Sequence, residues 1–248
     1  MSKKKVALIT GGVGGIGTAI SRCLLDDGFT LVANYALAGT EQRWLDSMRD
    51  YGCAERAHLA YGDVADYQQM GSMVKQIESD IGPVDVLINC AGITRDSQFR
   101  RMQKDDWDAV INVNLNSVFN VTRHVIDGMV ERGFGRIVNI SSVNGQKGQF
   151  GQTNYSAAKA GMLGFTKALA QEVVKKGVTV NAISPGYVNT DLVMSIRTDV
   201  RDKILADIPM GRFGKPEEIG KLVSYLVSEH AAYITGATIS INGGQYMV

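Results

Sequence analysis

Residues 6–17 read VALITGGVGGIG: a short apolar run, then five glycines within seven residues. An apolar, β-branched run of this length predicts a buried strand. The glycines permit a tight turn in which backbone N–H groups approach a phosphate, and residues 16–25 then continue with helical periodicity. The order strand, glycine turn, helix predicts a dinucleotide site in which the N-terminus of the helix faces the diphosphate.

The glycines fit two phosphate-binding patterns. Gly12, Gly14 and Gly17 match G-x-G-x-x-G. Gly11, Gly15 and Gly17 instead match T-G-x-x-x-G-x-G. The sequence leaves both registers open, and a glycine turn with a purely structural role is the alternative to either.

Six further apolar runs follow the first, and most of them are separated by sequence with helical periodicity. These runs are residues 30–33, 58–61, 84–88, 136–140, 178–183 and 238–241. Strands that alternate with helices predict βαβ units, and continuous apolar runs are typical of parallel strands buried on both faces. We therefore predict one α/β domain over residues 1–248, a doubly wound, Rossmann-like parallel sheet of about seven strands with helices on both faces. Residues 190–213 are predicted to form either a short helical excursion or a mobile lid.

The composition excludes several classes of function. The chain has 248 residues, 45% of them hydrophobic, and a net charge of +1, which predicts a globular core and no nucleic-acid footprint. No apolar stretch approaches the ~20 residues that span a bilayer, so we expect no membrane partner. Neither the cysteines nor the histidines have metal-ligand spacing, and the widely spaced cysteines favour a reducing, cytoplasmic location. They are Cys23, Cys53, Cys90, His58, His124 and His230.

The end of the second predicted strand carries no carboxylate. It reads Ala33-Asn34-Tyr35-Ala36. A site that prefers NAD usually has an acid here for the ribose 2′-hydroxyl, and that acid would repel a 2′-phosphate. Its absence predicts NADP(H), with Asn34 beside the ribose and Arg43 as the nearest downstream base.

Tyr155 and Lys159 lie four residues apart in a predicted helix and therefore share one face. Alone, this pair equally describes a surface tyrosine near a lysine. Ser142 ends a predicted strand 13 residues earlier, at the sheet edge where ligands bind in open α/β folds. The loops that follow the fourth and sixth strands, Asn89-Cys90-Ala91-Gly92 and Pro185-Gly186-Tyr187, are predicted at the same edge.

The motifs T-G-x-x-x-G-x-G, N-x-A-G, Ser, Y-x-x-x-K and P-G occur in this order along nearly the whole chain, which ends with Ile241-Asn242-Gly243-Gly244. In this order and spacing the sequence resembles the short-chain dehydrogenase/reductase family. The resemblance implies a nicotinamide-dependent oxidoreductase that is usually a homotetramer. One departure is Cys90, where the family usually has a second asparagine with a mainly structural role.

The resemblance also implies four catalytic roles. Tyr155 is the proton donor in reduction, and Lys159 lowers its pKa and binds the nicotinamide ribose. Ser142 orients the substrate carbonyl, which the family spacing selects over Ser141. Asn114 holds a water that links Lys159 to solvent.

Asn112 is the alternative to Asn114 as the residue that holds the water between Lys159 and solvent. The implied cofactor contacts place Asp63 and Val64 at the adenine, and Val188 and Thr190 at the nicotinamide. The full set is Gly11, Gly15, Ile16, Gly17, Asn34, Asp63, Val64, Asn89, Ala91, Gly92, Tyr155, Lys159, Pro185, Gly186, Val188 and Thr190.

Two activities within the family fit the chain. Residues 139–152 resemble acetoacetyl-CoA reductases of polyhydroxybutyrate synthesis, and so do residues 91–96, although 3-oxoacyl-carrier-protein reductases share the latter stretch. Residues 231–236 resemble the carrier-protein reductases. Residues 127–133 carry two acids and one base, which disfavours docking of an acidic carrier protein there.

We therefore expect reduction of acetoacetyl-CoA to (R)-3-hydroxybutyryl-CoA by NADPH, with the carrier-protein reductase as the alternative. Gln149, Gln152 and Tyr187 are the expected substrate-side groups. A catalytically silent NADP-binding scaffold is the alternative from another class, and the joint presence of all four catalytic residues disfavours it.

Overall fold

Seven parallel strands form one sheet in a computed structural model that describes residues 4–247. The spatial order is β3-β2-β1-β4-β5-β6-β7. The strands are β1 (Val6–Thr10), β2 (Thr30–Tyr35), β3 (Ala57–Tyr61), β4 (Val84–Asn89), β5 (Gly135–Ile140), β6 (Val178–Pro185) and β7 (Thr238–Ile241). The predicted sheet is confirmed, and each strand ends within two residues of its predicted bounds.

The helices occupy the sequence between the strands. They are α1 (Gly15–Asp26), α2 (Glu41–Asp50), α3 (Tyr67–Asp80), α4 (Lys104–Ile111), α5 (Ser117–Arg132), α6 (Val143–Lys147), α7 (Thr153–Val173), α8 (Asp191–Met194), α9 (Thr198–Ala206) and α10 (Pro216–Val227). A π-helical turn, Asn112–Asn116, joins α4 to α5. Residues 190–213 contain α8 and α9, so the prediction of a helical excursion is confirmed, and mobility of this segment stays a prediction.

The core has two layers, one on each face of the sheet. Because side chains alternate along a strand, Ala7 and Ile9 pack with α1, α2 and α10, while Val6 and Leu8 pack with α3, α5 and α7. All five residues of β1 are buried. This two-sided burial explains why the strand sequences are apolar throughout.

The topology defines where a ligand binds. From β1 the chain proceeds outward to β2 and β3 and then returns to the other side, where β4 pairs with β1 in parallel. In doubly wound sheets the crevice at such a reversal, beyond the carboxyl ends of the strands, is the ligand site. Here Thr10 and Asn89 lie side by side at that point.

Among residues 4–247, no helix combines the length and the apolar character that crossing a bilayer requires.

Candidate active site

The turn after β1 requires glycine for steric reasons. Gly11 has a φ of +61°, and a Cβ on Gly17 would overlap the Gly11 carbonyl oxygen. A Cβ on Gly12 would lie 2.7 Å from the Cβ of Ala33 on β2. At Gly14 the nearest atom would be 3.4 Å away. Of the two glycines found only in the G-x-G-x-x-G register, Gly12 has no room for a side chain and Gly14 has, so the steric constraints do not decide between the two registers.

The N-terminus of α1 opens onto the crevice. Gly14 is its N-cap and provides no side-chain hydrogen bond. Thr190 forms the opposite wall, since a Cβ on Gly15 would lie 3.0 Å from its Cγ2. The first-turn N–H groups and the positive end of the helix dipole therefore face the space between the glycine turn and the start of α8, where the sequence predicts the diphosphate.

Asn34 does not face the crevice. Its side chain is 1% exposed and its Nδ2 donates to the carbonyl oxygens of Ala60 (3.3 Å) and Gly62 (2.9 Å). Its Oδ1 accepts from the Gly11 N–H at 3.4 Å. The expectation of a side-chain contact between Asn34 and the ribose is therefore corrected. β2 runs two residues further than predicted, and the alternation of side chains turns Asn34 inward, where it ties β2 to β3 and to the glycine turn.

Asn34→Asp is consequently expected to destabilise the protein by ~2 kcal/mol, because a carboxylate cannot donate to the two carbonyls and would be buried against them. Thermal or urea unfolding measures the loss. Asn112→Asp is the matched control, since Asn112 is exposed. If the Asn34→Asp variant had unchanged stability and a shifted cofactor preference, the original prediction of a contact between Asn34 and the ribose would be supported.

The other cofactor-side residues predicted from sequence lie along the same edge, but several have structural partners. Asp63 is exposed beyond β3, whereas the Val64 side chain is buried in the core. Asn89 donates to the Oδ1 of Asn139 at 2.8 Å, and Asn139 donates to Thr166 at 2.8 Å. Asn89 thus fixes the ends of β4 and β5 against α7 rather than presenting its amide to the crevice.

The sequence analysis did not identify Thr10 as a site residue. Its Oγ1 accepts hydrogen bonds from the N–H groups of Cys90 (3.0 Å) and Ala91 (3.1 Å), which fix the loop after β4. Cys90 is half-buried, and desolvation raises the pKa of its thiol to about 11, so the thiol is neutral at pH 7. Because the backbone N–H of Cys90 makes the contact with Thr10, the departure from asparagine is accommodated.

The loop after β6, which the sequence predicts to contact the nicotinamide, is held by main-chain contacts. The Gly186 N–H donates to the carbonyl of Ile241 at 3.0 Å, and a Cβ on Gly186 would lie 2.9 Å from the Cα of Asn242. Val188 is buried and pairs with Gly214. Pro185 ends β6, so the predicted residues of this loop lie together on one wall of the crevice.

Ser142, Tyr155 and Lys159 meet at this edge. The Lys159 Nζ lies 5.7 Å from the centroid of the Tyr155 ring and donates to the Ile140 carbonyl at 2.8 Å. The Tyr155 phenol lies beside Ser142, whose hydroxyl acts to lower the pKa of the phenol. Ser141 points elsewhere, since its Oγ donates to the Lys159 carbonyl at 2.8 Å. The structure thus places Ser142, and not its neighbour, beside the phenol.

Burial controls the ionisation of this cluster. It raises the pKa of Tyr155 to about 12, although the neighbouring Ser142 hydroxyl acts in the opposite direction. Burial also lowers the pKa of Lys159 to about 8. The expected lowering of the phenol pKa by Lys159 is therefore not seen in the structure, because desolvation of the phenolate dominates. The phenol is protonated at neutral pH, which is the state that a proton donor needs.

Asn114 lies fully buried in the π-helical turn, and both ends of its carboxamide are occupied. Its Oδ1 accepts from the Ile93 N–H at 2.7 Å, and its Nδ2 donates to the Ile93 carbonyl at 2.8 Å. Gly92 separates it from Lys159, since a Cβ there would lie 3.1 Å from the Asn114 Oδ1 and 3.5 Å from the Lys159 Nζ. The rival Asn112 is exposed and accepts from Asn116 instead.

Gln152 belongs to a hydrogen-bonded chain across the expected substrate side. Its Oε1 accepts from the Asn144 Nδ2 at 2.9 Å, and its Nε2 donates to Asp96 at 2.9 Å. Asn144 also lies near Tyr187 and acts to lower the pKa of its phenol, but burial dominates and raises that pKa. Gln149 has a partner outside this chain, because its Oε1 accepts from Lys147 at 3.3 Å. Sequence patterns gave no signal for Asn144 and Asp96, since their role depends on contacts between separate loops.

The comparisons with known proteins agree with this arrangement. The sequence model of the family described as short chain dehydrogenase matches residues 5–201. An acetoacetyl-CoA reductase from Cupriavidus necator is 56% identical over 98% of this chain and 99% of its own length. Another from Allochromatium vinosum is 54% identical over the same shares of the two chains. A protein named nodulation protein G, from Azospirillum brasilense, is 57% identical over 97% of this chain and 98% of its own.

Proposed function

Because the chain belongs to the short-chain dehydrogenase family, we propose that it catalyses the NADPH-dependent reduction of acetoacetyl-CoA to (R)-3-hydroxybutyryl-CoA. The observation that carries this proposal is the similarity, at 54–56% identity over 98% of the chain, to two proteins named acetoacetyl-CoA reductase. The meeting of Ser142, Tyr155 and Lys159 beside the glycine turn supports it, because a carbonyl reductase needs a proton donor next to its cofactor site. The R configuration rests on the family resemblance alone.

The proposed mechanism assigns each group one task. A reduced nicotinamide held beside Tyr155 and Lys159 would provide the hydride for reduction of the C3 carbonyl. Ser142 donates a hydrogen bond to the carbonyl oxygen, and the Tyr155 phenol gives its proton to the alkoxide that forms there. The Lys159 ammonium stabilises the resulting phenolate and binds the nicotinamide ribose. The proton of the Tyr155 phenol thus ends on the product hydroxyl, and a proton from solvent converts the Tyr155 phenolate back to the phenol.

We propose that the π-helical turn at Asn114 holds a water through which solvent returns a proton to Tyr155. Its carboxamide is engaged with Ile93, so the group available for a water is the main chain. A π turn interrupts the regular helical hydrogen bonds, which supports such a role.

Preference for NADPH over NADH is also part of the proposal. It is supported by the lack of a carboxylate in residues 33–40 and by Arg43, the one basic residue between Arg22 and Arg49. Glu41 is the first acid beyond that stretch, and its Oε2 is buried rather than turned toward solvent. A guanidinium at the mouth of the site favours the dianionic 2′-phosphate over a hydroxyl.

Parallel assays test the proposed function. We expect NADPH oxidation with acetoacetyl-CoA, and a kcat/KM for NADPH at least about tenfold above that for NADH, the effect of one charge-assisted contact. Equal use of the two cofactors would contradict the cofactor assignment. Bound NADPH without turnover of any 3-oxoacyl thioester would favour the scaffold alternative.

The carrier-protein reductase is the second candidate. Between Ser142 and Tyr155, the chain has three glutamines and only one large apolar side chain, Phe150, which is 81% exposed. This polar segment favours a short acyl chain. Each methylene of a longer chain would add about 0.8 kcal/mol to the binding free energy only if it were buried against apolar surface. Measuring kcat/KM on CoA and carrier-protein thioesters of four to ten carbons separates the two. Preference for the carrier protein, or for eight carbons or more, would overturn the CoA assignment.

Tyr187 is proposed to cover the thioester side of the substrate. Tyr187→Ala is expected to raise KM for acetoacetyl-CoA about fivefold, the loss of one oriented aromatic contact worth ~1 kcal/mol, with a smaller change in KM for NADPH. Steady-state kinetics with each substrate varied in turn provides the measurement. Tyr233→Ala, at a fully exposed tyrosine, is the control. Equal changes in both KM values would mean that Tyr187 supports the whole crevice rather than the thioester.

A homotetramer in the cytoplasm, active in polyhydroxybutyrate synthesis, is proposed from the family resemblance. Light scattering coupled to size-exclusion chromatography tests the assembly.

A further inference from the structure

An ion pair crosses the mouth of the glycine turn. The Arg43 guanidinium lies 3.6 Å from the Asp191 carboxylate, and both side chains are largely exposed, at 87% and 96%. Arg43 is in the first turn of α2, directly after β2, and Asp191 is the first residue of α8. The pair therefore joins the adenosine wall of the crevice to the nicotinamide wall.

The position of Asp191 is fixed by its neighbour. Thr190 lies against Gly15 at the start of α1, where the diphosphate is expected to bind, and its Oγ1 caps α8. Asp191 thus places a negative charge beside an anion site. Across the crevice, Asp191 contacts the side chain of Arg43. Arg43 is the only basic residue in residues 23–48.

We propose that Asp191 limits the preference for NADPH by competing with its 2′-phosphate for Arg43. This inference rests on the proposed use of NADPH. Binding of NADPH exchanges one partner of the guanidinium for another. NADH offers a hydroxyl at that position, so Arg43 stays with Asp191.

The charges favour this exchange. An ion pair between two exposed side chains is weak and screened by salt, so Asp191 holds the guanidinium over the mouth without fixing it there. A phosphate monoester carries up to two charges and three acceptor oxygens, and it binds the guanidinium fork through two parallel hydrogen bonds. The phosphate therefore displaces the Asp191 carboxylate from Arg43. Breaking that ion pair reduces the free energy that the phosphate contributes to NADPH binding.

Asp191→Asn tests the competition. We expect it to tighten NADPH binding about two- to fivefold, the contribution of an exposed ion pair, and to leave the Kd of NADH within the error of measurement. Arg43→Ala is expected to weaken NADPH about tenfold and NADH little. The Kd values come from fluorescence titration of the full-length protein. Titrations with adenosine 2′,5′-bisphosphate and with ADP show whether the 2′-phosphate or the diphosphate is the group read by Arg43.

The double variant distinguishes competition from simple repulsion. If Asp191 acts through Arg43, the tightening caused by Asp191→Asn disappears in the Arg43→Ala background. If it persists there, Asp191 repels the phosphate directly and the inference is wrong. Arg49→Ala is the control, because it removes the same charge at the last turn of α2, where Arg49 pairs with Asp46.

The wild-type protein separates this inference from the proposed function. Equal wild-type Kd values for NADPH and NADH would refute the proposed cofactor preference, and the inference with it. A wild-type preference for NADPH that survives Arg43→Ala would refute only the inference. Neither result depends on the identity of the thioester, since no turnover is measured.

Discussion

Tyr155→Phe is expected to lower kcat for acetoacetyl-CoA reduction by roughly 10²–10⁴-fold, the usual contribution of general acid–base catalysis. The variant keeps the ring and removes only the phenolic hydroxyl beside Ser142. Because the pKa of this phenol is raised to about 12, the group is protonated across the neutral range and delivers its proton in the reductive direction. Binding of NADPH is expected to remain within about twofold of wild type, since the hydroxyl is one of several cofactor-side groups.

Single-turnover kinetics with saturating NADPH gives the loss in the chemical step, and circular dichroism checks the fold. Tyr233→Phe is the matched control, because its hydroxyl lies on a fully exposed side chain. Near-normal turnover in a folded Tyr155→Phe protein would rule out this residue as the proton donor.

Lys159→Met is expected to abolish most activity and yet to make the protein more stable. The Lys159 side chain is buried, and burial lowers its pKa from 10.5 to about 8, a shift worth roughly 3 kcal/mol against the folded state while the amine is charged. Methionine fills a similar volume without that charge. It loses the hydrogen bond from Nζ to the Ile140 carbonyl, worth roughly 1 kcal/mol. The net expected gain in unfolding free energy is ~1–2 kcal/mol at pH 7.

This gain depends on pH with a definite sign. Below pH 8 both the folded and the unfolded protein carry the charged lysine, so the difference between wild type and variant is complete. Between pH 8 and 10.5 only the unfolded wild type keeps the proton, so wild-type stability rises with pH and the difference closes. Chemical denaturation at pH 7 and pH 10 measures both values.

Activity falls in the same variant because the phenolate loses its ammonium and the cofactor loses a ribose contact. We expect a drop in kcat of about 100-fold and a weaker Kd for NADPH. Lys167→Met, at an exposed lysine of the same helix, is the control for both readouts. A strongly destabilised Lys159→Met protein would contradict the cost assigned to burying the charged Lys159 amine. An unchanged Kd for NADPH would show that Lys159 does not bind the nicotinamide ribose.

Local features of the sequence determined the architecture. Apolar runs of four to six residues, alternating with helical periodicity, predicted seven parallel strands within two residues of their ends. They succeeded because burial on both faces makes a parallel strand apolar along its whole length. The glycines of the first turn were equally readable, since Gly11 has a positive φ and Gly17 has no room for a side chain. Helical spacing likewise put Tyr155 and Lys159 on one face of α7.

Contacts between distant segments decided the rest. Asn34 lies within β2 and not after it, so the alternation of the strand buries its side chain against Ala60, Gly62 and Met73, which belong to other segments. The pKa of Tyr155 depended on the desolvation that the packed loops impose, which no spacing of residues encodes. Thr10, the chain of Asn144, Gln152 and Asp96, and the pair of Arg43 with Asp191 lie together only when the sheet edge has assembled. Periodicity and motif spacing report contacts within one element, whereas polar partners and electrostatic environments arise between elements that only the tertiary structure joins.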